Sequence, residues 1–389
     1  MTILSIQDLD IKDKRVLVRV DFNVPLTPNG DVADAGRIKA TIPTIQHITK
    51  NGGKCIIISH LGRPEGKKNP KYSLDVVARC LEKLMGQKVK FVDDCIGDKT
   101  LASIIALKPG EIALLENVRF YKEEEENSEE FAEKLALLGD IYVNDAFGTC
   151  HRAHASVSSI PKYIPSAAGF LLKKEIVNLN KVLLNPERPF VAILGGAKVS
   201  DKIRVIGNLL TKVDKLLIGG GMAYTFLKAQ GKNVGISKVE IDKLPFAKDI
   251  LSKTRIIVLP TDSVIAERID KEAITKVVKS DIPDNWLGLD IGPESIANFI
   301  SVLSTAKTVL WNGPVGVFEI PQFSNGTKTI AEHLSHRRAT TIVGGGDTAA
   351  AVEKFGVTSK MTHVSTGGGA SLEFLEGREL PGIAALKRT

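Results

Sequence analysis

The sequence predicts an α/β protein of two Rossmann-like domains, each a parallel sheet flanked by helices, joined by a helix and hinge segments. Val- and Ile-rich runs alternate with amphipathic segments almost throughout, the pattern of parallel strands joined by helical crossovers. The 389 residues exceed what one hydrophobic core commonly supports, so about two domains are expected. A stretch with helical spacing at 173–184 is followed by Asn185 and Pro186, which stop a helix, and it reads as a connector.

Taken in order, the first half has short β-branched runs bounded by polar residues at 15–20, 55–59, 89–92, 112–115 and 141–144. Between them, 38–49, 74–85 and 129–138 place apolar residues at helical spacing. The second half repeats the plan with strand candidates at 190–194, 215–218, 256–259, 309–311, 340–343 and 363–365. The first domain is expected at 1–172, the connector at 173–185 and the second domain from 186. The densest charge run, 123–126 with Glu129 and Glu130, reads as acids at a helix amino terminus, where the dipole favours them.

Composition narrows the classes of function. Charged residues make up 25% of the chain and are dispersed, so the formal charge of +7 favours acidic substrates over a nucleic-acid surface. There is no Lys/Arg block with interleaved aromatics. Cys55, Cys80, Cys95 and Cys150 are widely spaced and lie in or beside apolar runs, as reduced, mostly buried thiols would. No signal-peptide core opens the chain and no run has the length of a membrane span, so a cytoplasmic protein is expected.

In open parallel sheets ligands bind beyond the carboxyl ends of the strands. In the first half those positions are cationic: Arg19, Arg37, His60, Arg63, Arg119, His151, Arg152 and His154. Gathered together they would hold a multiply charged anion, with Asp21 and Asn23 on its hydroxyl groups. A metal site on His151 and His154 competes, but Arg152 between them and the lack of a His-Glu-x-x-His or paired-Cys pattern favour an anion.

In the second half the strand candidates break into glycine turns, at Gly195 and Gly196, at Gly219, Gly220 and Gly221, at Gly344, Gly345 and Gly346, and at 367–369. Glycine lets backbone N–H groups close on phosphate oxygens. Lys198 and Lys202, four apart, share a face if helix begins directly after the glycines, and an anion between them would relieve their repulsion. Asp347 and Thr348 can cap the next helix, and Asp347 can also hold Mg²⁺ beside nucleotide phosphates. Glu319 is a candidate ribose contact. Gly344, Gly346 and Ala349 also fit a dinucleotide fingerprint, which keeps a nicotinamide oxidoreductase open, although the acid expected about 20 residues on is replaced by Thr366 and three glycines.

The ordered blocks RVDFNVP at 19–25, SHLGRP at 59–64, ENVRF at 116–120, NDAFGTCHRAHAS at 144–156, GGAKVSDK at 195–202, GGGMAYTFL at 219–227, WNGPVGVFE at 311–319, GGGDTAAA at 344–351 and STGGGASLEFLEG at 365–377 run from end to end of the chain, and together they resemble phosphoglycerate kinases. The resemblance implies that 3-phosphoglycerate or 1,3-bisphosphoglycerate is held in the first domain by Asp21, Asn23, Arg37, His60, Arg63, Arg119 and Arg152. It implies Mg-ADP or Mg-ATP in the second domain, through Lys202, Gly219, Gly220, Glu319, Gly345, Gly346, Asp347 and Thr348. Arg37, Lys198 and Lys202 would meet the phosphoryl group in flight. It further implies a monomer in which the second domain ends at 371 and a segment at 372–389 returns to the first. The loop before Arg37 departs from the family pattern, with Ala35 and Gly36 where bulkier polar residues are common.

Transfer between ADP and a carboxyl phosphate has an ionised nucleophile in either direction, so no general base is required. Catalysis would rest on alignment after domain closure, on water exclusion and on cations at the equatorial oxygens. The expected moving parts are 173–185 and the STGGGAS segment. A non-enzymatic nucleotide-binding regulator is the other alternative, and it would need the glycine turns without Lys198, Lys202 and the arginine set.

Overall fold

The computed structural model describes residues 3–279 and 281–387. Contacts divide the chain into two units, Met1–Val177 with Glu379–Thr389, and Asn178–Arg378. The helix Phe170–Leu184 carries the chain across the division.

In the first unit, β1 (Arg15–Arg19), β2 (Lys54–Ile58), β3 (Val89–Val92), β4 (Ile112–Leu115), β5 (Ile141–Asn144) and β6 (Ser166–Ala168) form one sheet. Its order is β3-β4-β2-β1-β5-β6 and every pairing is parallel. The central strands are buried on both faces, which is why they read as unbroken apolar runs. Val16, Val18, Ile57 and Leu114 belong to one core with Ile38, Ile45 and Ile48 of the helix Gly36–Lys50 and Val77 and Leu81 of the helix Asp75–Met85.

The second unit has β7 (Phe190–Leu194), β8 (Lys215–Ile218) and β9 (Ile257–Val258), then β10 (Asp262–Ala266), β11 (Lys276–Lys279) and β12 (Leu287–Ile291), then β13 (Thr308–Asn312), β14 (Thr340–Gly344) and β15 (His363–Val364). A second six-stranded parallel sheet has the order β15-β14-β13-β7-β8-β9. Trp311, on its central strand, is wholly buried and donates from Nε1 to the Gly313 carbonyl at 2.9 Å.

The two parallel sheets are those expected from the sequence. Absent from the sequence reading were β6, the helix Asp98–Ile105 and the antiparallel sheet β11-β10-β12. The acidic run also needs correcting. Glu123, Glu124 and Glu125 do lie in the first turn of a short helix, Lys122–Glu125, and Glu129 and Glu130 in the next, Glu129–Ala136. Glu124, however, is wholly buried and accepts from the Ser156 amide at 2.8 Å and its hydroxyl at 2.6 Å. The helix Gly369–Leu375 packs within the second unit, with Asn208 Nδ2 donating to the Leu375 carbonyl at 2.7 Å. Further on, Gly382 N donates to the Cys150 carbonyl at 2.9 Å within the first unit. All four cysteines are free thiols, with Cys55, Cys95 and Cys150 buried and Cys80 half-buried.

Three turns of the second unit meet backbone to backbone. A Cβ on Gly195 would lie 2.1 Å from the Pro314 carbonyl oxygen, one on Gly313 would lie 2.3 Å from Gly195, and one on Gly220 would lie 2.8 Å from both the Gly196 nitrogen and the Pro314 oxygen. Gly195→Ala is therefore expected to destabilise the protein by about 1–3 kcal/mol or more, because backbone cannot swing aside as a side chain can. An unchanged denaturation midpoint would show that the turns yield freely.

Candidate active site

At the carboxyl edge of the first sheet, the loops after β1, β2 and β4 are locked to one another. Ser59 Oγ accepts from Phe22 N at 2.9 Å and donates to the Val20 carbonyl at 3.0 Å. Asn117 Nδ2 donates to the carbonyls of Leu61 (2.8 Å) and Tyr72 (2.9 Å). On this frame Arg37 Nη1 donates to Asp21 Oδ2 at 2.7 Å and to the Asn23 carbonyl at 3.3 Å, while Asn23 Oδ1 accepts from Gly62 N at 2.9 Å. Gly36, which opens the helix of Arg37, donates its amide to Asp34 Oδ1 at 2.7 Å, so the Ala35–Gly36 step is tied locally. Arg119 Nη1 donates to the Gly62 carbonyl at 2.9 Å, and its Nε lies 3.3 Å from Glu125 Oε1. Arg63 is exposed, and Arg152 is half-buried with Nε donating to His151 Nε2 at 3.2 Å.

Arg19 departs from the expectation that it would face an anion. Its side chain has no exposure and its donors go to Ser156 Oγ (2.8 Å), the Val20 carbonyl and His60 Nδ1 (3.2 Å). A guanidinium cannot accept, so Nδ1 is the acceptor and the His60 ring proton sits on Nε2. Glu124, 3.9 Å from Arg19 and 3.8 Å from His154 Nδ1, is the buried counter-charge.

Burial, with Arg19 and Arg119 close by, holds His60 well below the ordinary imidazole range. Burial followed by Arg119, Arg19 and Arg152 takes His154 down to about 3, and burial takes Arg119 down to about 10. Both histidines are neutral near pH 7, so the positive charge of this site comes from its arginines.

In the second unit a cleft of about 350 Å³ is lined by Gly196, Gly220, Tyr224, Pro314, Glu319 and Asp347 among others. Lys354 Nζ donates to the carbonyls of Phe318 and Glu319, both at 2.9 Å, and so fixes the loop that carries Glu319. Gly219 is buried, and the amides of Gly219 and Gly220 donate to the carbonyls of Leu194 (2.9 Å) and Val315 (3.0 Å). These two glycines therefore shape the cleft by close approach and have no N–H to spare for phosphate.

Two readings of this region need correction. The helix after the first glycine turn begins at Ile203, with Lys202 only its N-cap, so Lys198 and Lys202 share no helical face. The helix Gly346–Lys354 is preceded by Gly345 at φ +89, with no side-chain cap; Thr348 Oγ1 instead accepts from Gly313 N at 2.6 Å, inside the protein. Gly346 and Asp347 are exposed at that helix start, where amides are unpaired and the dipole is positive.

Lys202 Nζ donates to Asn312 Oδ1, and Asn312 Nδ2, buried beside Gly345, has no partner among the described residues. Burial pulls Lys202 down to about 8, opposed by Asp201, Asp347 and Glu376. Lys198 is exposed next to Ala197, which lines the cleft. Ser59, Asn117, Glu124 and Asn312 were not picked out from sequence; all but Glu124 lie inside the motif blocks at strand ends, where a polar residue on an apolar run was the available signal.

A family model described as phosphoglycerate kinase matches residues 6–378. The phosphoglycerate kinase of Moorella thermoacetica is 55% identical over 391 residues, covering 99% of each chain. A cytosolic phosphoglycerate kinase of Nicotiana tabacum is 54% identical over 98% of this chain and 97% of its own. Among solved structures, phosphoglycerate kinase from Coxiella burnetii aligns with a TM-score of 0.91 at 43% identity, covering 99% of both chains.

The electrostatics of Lys202 give a test independent of turnover. An anion beside Nζ would raise its pKa, so ADP phosphates placed there should take up protons on binding near pH 8, with affinity falling as pH rises through about 8. Calorimetry in buffers of different ionisation enthalpy should show the uptake. Lys202→Arg, which stays charged, should abolish it; equal uptake in that variant would place the titrating group elsewhere.

Proposed function

The chain belongs to the phosphoglycerate kinase family, and from that premise we propose how its residues divide the work of the reaction. The enzyme is a glycolytic phosphotransferase that moves the acyl phosphate of 1,3-bisphosphoglycerate to ADP, giving 3-phosphoglycerate and ATP, reversibly. Neither a nicotinamide oxidoreductase nor a non-enzymatic regulator is favoured beside this membership.

Phosphoglycerate binds the first unit. Arg63, Arg119 and Arg152 hold its charged groups, Asp21 and Asn23 its hydroxyl, and His60 offers Nε2–H as a neutral donor. The observation that carries this reading is the locked set of loops at one sheet edge, whose arginines converge while their histidines stay uncharged. Nucleotide binds the second unit, with phosphates at the amino end of the helix Gly346–Lys354 and beside Lys202, and Glu319 on the ribose.

Asp347 is an exposed carboxylate lining the nucleotide cleft, and among the described residues no group of three or more His, Cys, Asp or Glu is arranged to hold a metal. That donor set suits Mg²⁺, which takes one or two carboxylates and completes its shell with phosphate oxygens and water. Bound there, the ion would neutralise phosphate charge. Arg37, Lys198 and Lys202 present cations to the equatorial oxygens of the group in transfer, and no residue needs to remove a proton.

Transfer requires the two substrates to meet, and we assign the required motion to 173–185 and to the glycine-rich segment 365–371. We also place the enzyme in the cytoplasm, as a monomer with neither nucleic-acid nor membrane partners. The cytosolic tobacco relative supports that location; among the described residues no helix is long and apolar enough to cross a membrane.

Phosphoglycerate-dependent formation of ADP from Mg-ATP tests the activity directly. Lys202→Ala should lower kcat by roughly 10² to 10³, the loss of one preorganised cation at developing charge. A normal kcat with weaker nucleotide binding would reduce Lys202 to ground-state binding. Arg63→Ala should weaken phosphoglycerate binding by about 10-fold or more, the worth of one charge-assisted hydrogen bond. Nucleotide affinity should be unchanged, and a comparable loss there would overturn the division of substrates between units.

A further inference from the structure

Lys198 sits on a loop without regular structure, between the glycine turn and the helix Ile203–Leu210. A cation serves transition-state charge only if its backbone is held, and loops hold less firmly than helices or strands. The loop provides one internal bond for this, Lys202 N to the Val199 carbonyl at 2.8 Å. Val199 is wholly buried and Lys202 Nζ reaches Asn312, but the amides of the two residues after Lys198 are held by Glu240, far along the chain. Its Oε2 accepts from Val199 N at 2.5 Å and from Ser200 N at 3.0 Å, and its Oε1 accepts from Ser200 Oγ at 2.6 Å. Both carboxylate oxygens are thus committed to the two residues after Lys198.

Glu240 is itself anchored. Its amide donates at 3.1 Å to Thr225 Oγ1, and Thr225 is buried in the helix Ala223–Ala229. Its neighbour Val239 packs on the cluster containing Tyr224, Leu227 and Val234. The helix Ala223–Ala229 follows the turn whose Gly220 and Gly221 line the nucleotide cleft. One carboxylate therefore ties the Lys198 loop to the wall of that cleft.

We propose that Glu240 is a positioning residue for phosphoryl transfer, bracing the 197–200 loop so that Lys198 meets the group in flight. This rests on the reading that Lys198 acts on that group. Glu240 does not touch substrate. Its contribution is geometric and appears in kcat, because the ground-state contacts of phosphoglycerate lie elsewhere.

The test uses the full-length enzyme with Glu240→Ala, Glu240→Gln, Lys198→Ala and the Lys198→Ala/Glu240→Ala double variant. Glu240→Ala should lower kcat by about 10- to 10²-fold, as misplacement of a catalytic group does, with the KM for 3-phosphoglycerate little changed. Glu240→Gln should keep most activity, because its amide oxygen can accept both backbone N–H bonds and its NH₂ can donate to Ser200 Oγ. In the Lys198→Ala background, removing Glu240 should add little further loss, the mark of two residues acting through one effect.

Wild-type kcat in folded Glu240→Ala, or a full additional loss in the double variant, would overturn the proposal. A loss in Glu240→Gln as large as in Glu240→Ala would overturn the bracing role as well, since the hydrogen bonds survive that change. If Lys198→Ala alone leaves kcat intact, the role of Lys198 falls with it; if Lys198→Ala is impaired and Glu240→Ala is not, only the brace falls. Should Glu240→Ala fail to fold, Ser200→Ala removes one of the three bonds and should cost roughly 2- to 10-fold in kcat; no loss there would also overturn the proposal.

Discussion

The register of the parallel strands is the constraint from which the loop arrangement of each unit follows. Arg19 at the end of β1 pairs with Ile58 at the end of β2 and with Asn144 at the end of β5. In the other sheet Asn312 at the end of β13 pairs with Leu194 at the end of β7 and with Gly344 at the end of β14. Strands that finish in step release their loops at one level, and the first polar residues of several loops then meet without long side-chain reach. The same register brings the Gly195, Gly220 and Gly313 turns so close that no Cβ fits between them.

Charge is organised differently in the two halves. The first unit buries a complete guanidinium, Arg19, and satisfies it with a hydroxyl, a carbonyl, an imidazole and the distant Glu124 carboxylate. Breaking such a buried arrangement is costly, while replacing it whole by apolar residues can be neutral, so its presence argues for a task beyond stability. That task is visible at His60, which the same guanidinium fixes as an Nε2–H donor. In the second unit the buried cation, Lys202, donates to the neutral Asn312 and feels three carboxylates, and burial leaves it easier to deprotonate than a solvated lysine.

Much of this was legible in the sequence because parallel strands buried on both faces leave continuous apolar runs, and because ligand groups follow those runs. The exceptions share a physical cause. β6 is only Ser166–Ala168, and β11 is an exposed edge, Lys276–Lys279, so neither leaves an apolar run to read. Arg19 carries the same signal as Arg63, a cation after an apolar run, and only three-dimensional packing decides that Arg19 is sealed inside while Arg63 is exposed. Lys198 and Lys202 suggested a helical pair through their spacing, but the helix starts only at Ile203, after both. Glu124 stood among other acids that are solvated, and nothing in its local sequence separates it from Glu123 or Glu126.

The cysteines have a further consequence. All four lie in the first unit, and burial pushes the thiols of Cys55, Cys95 and Cys150 upward, Cys150 to about 12. A thiolate-seeking reagent therefore meets half-buried Cys80 first and the other three only when the first unit opens, whereas the second unit has no sulfhydryl to report its own opening. Alkylation kinetics on the unmodified enzyme thus act as a one-sided clock, reading the breathing of the first unit while remaining blind to the second. Oxidative damage through these thiols would fall on the same half.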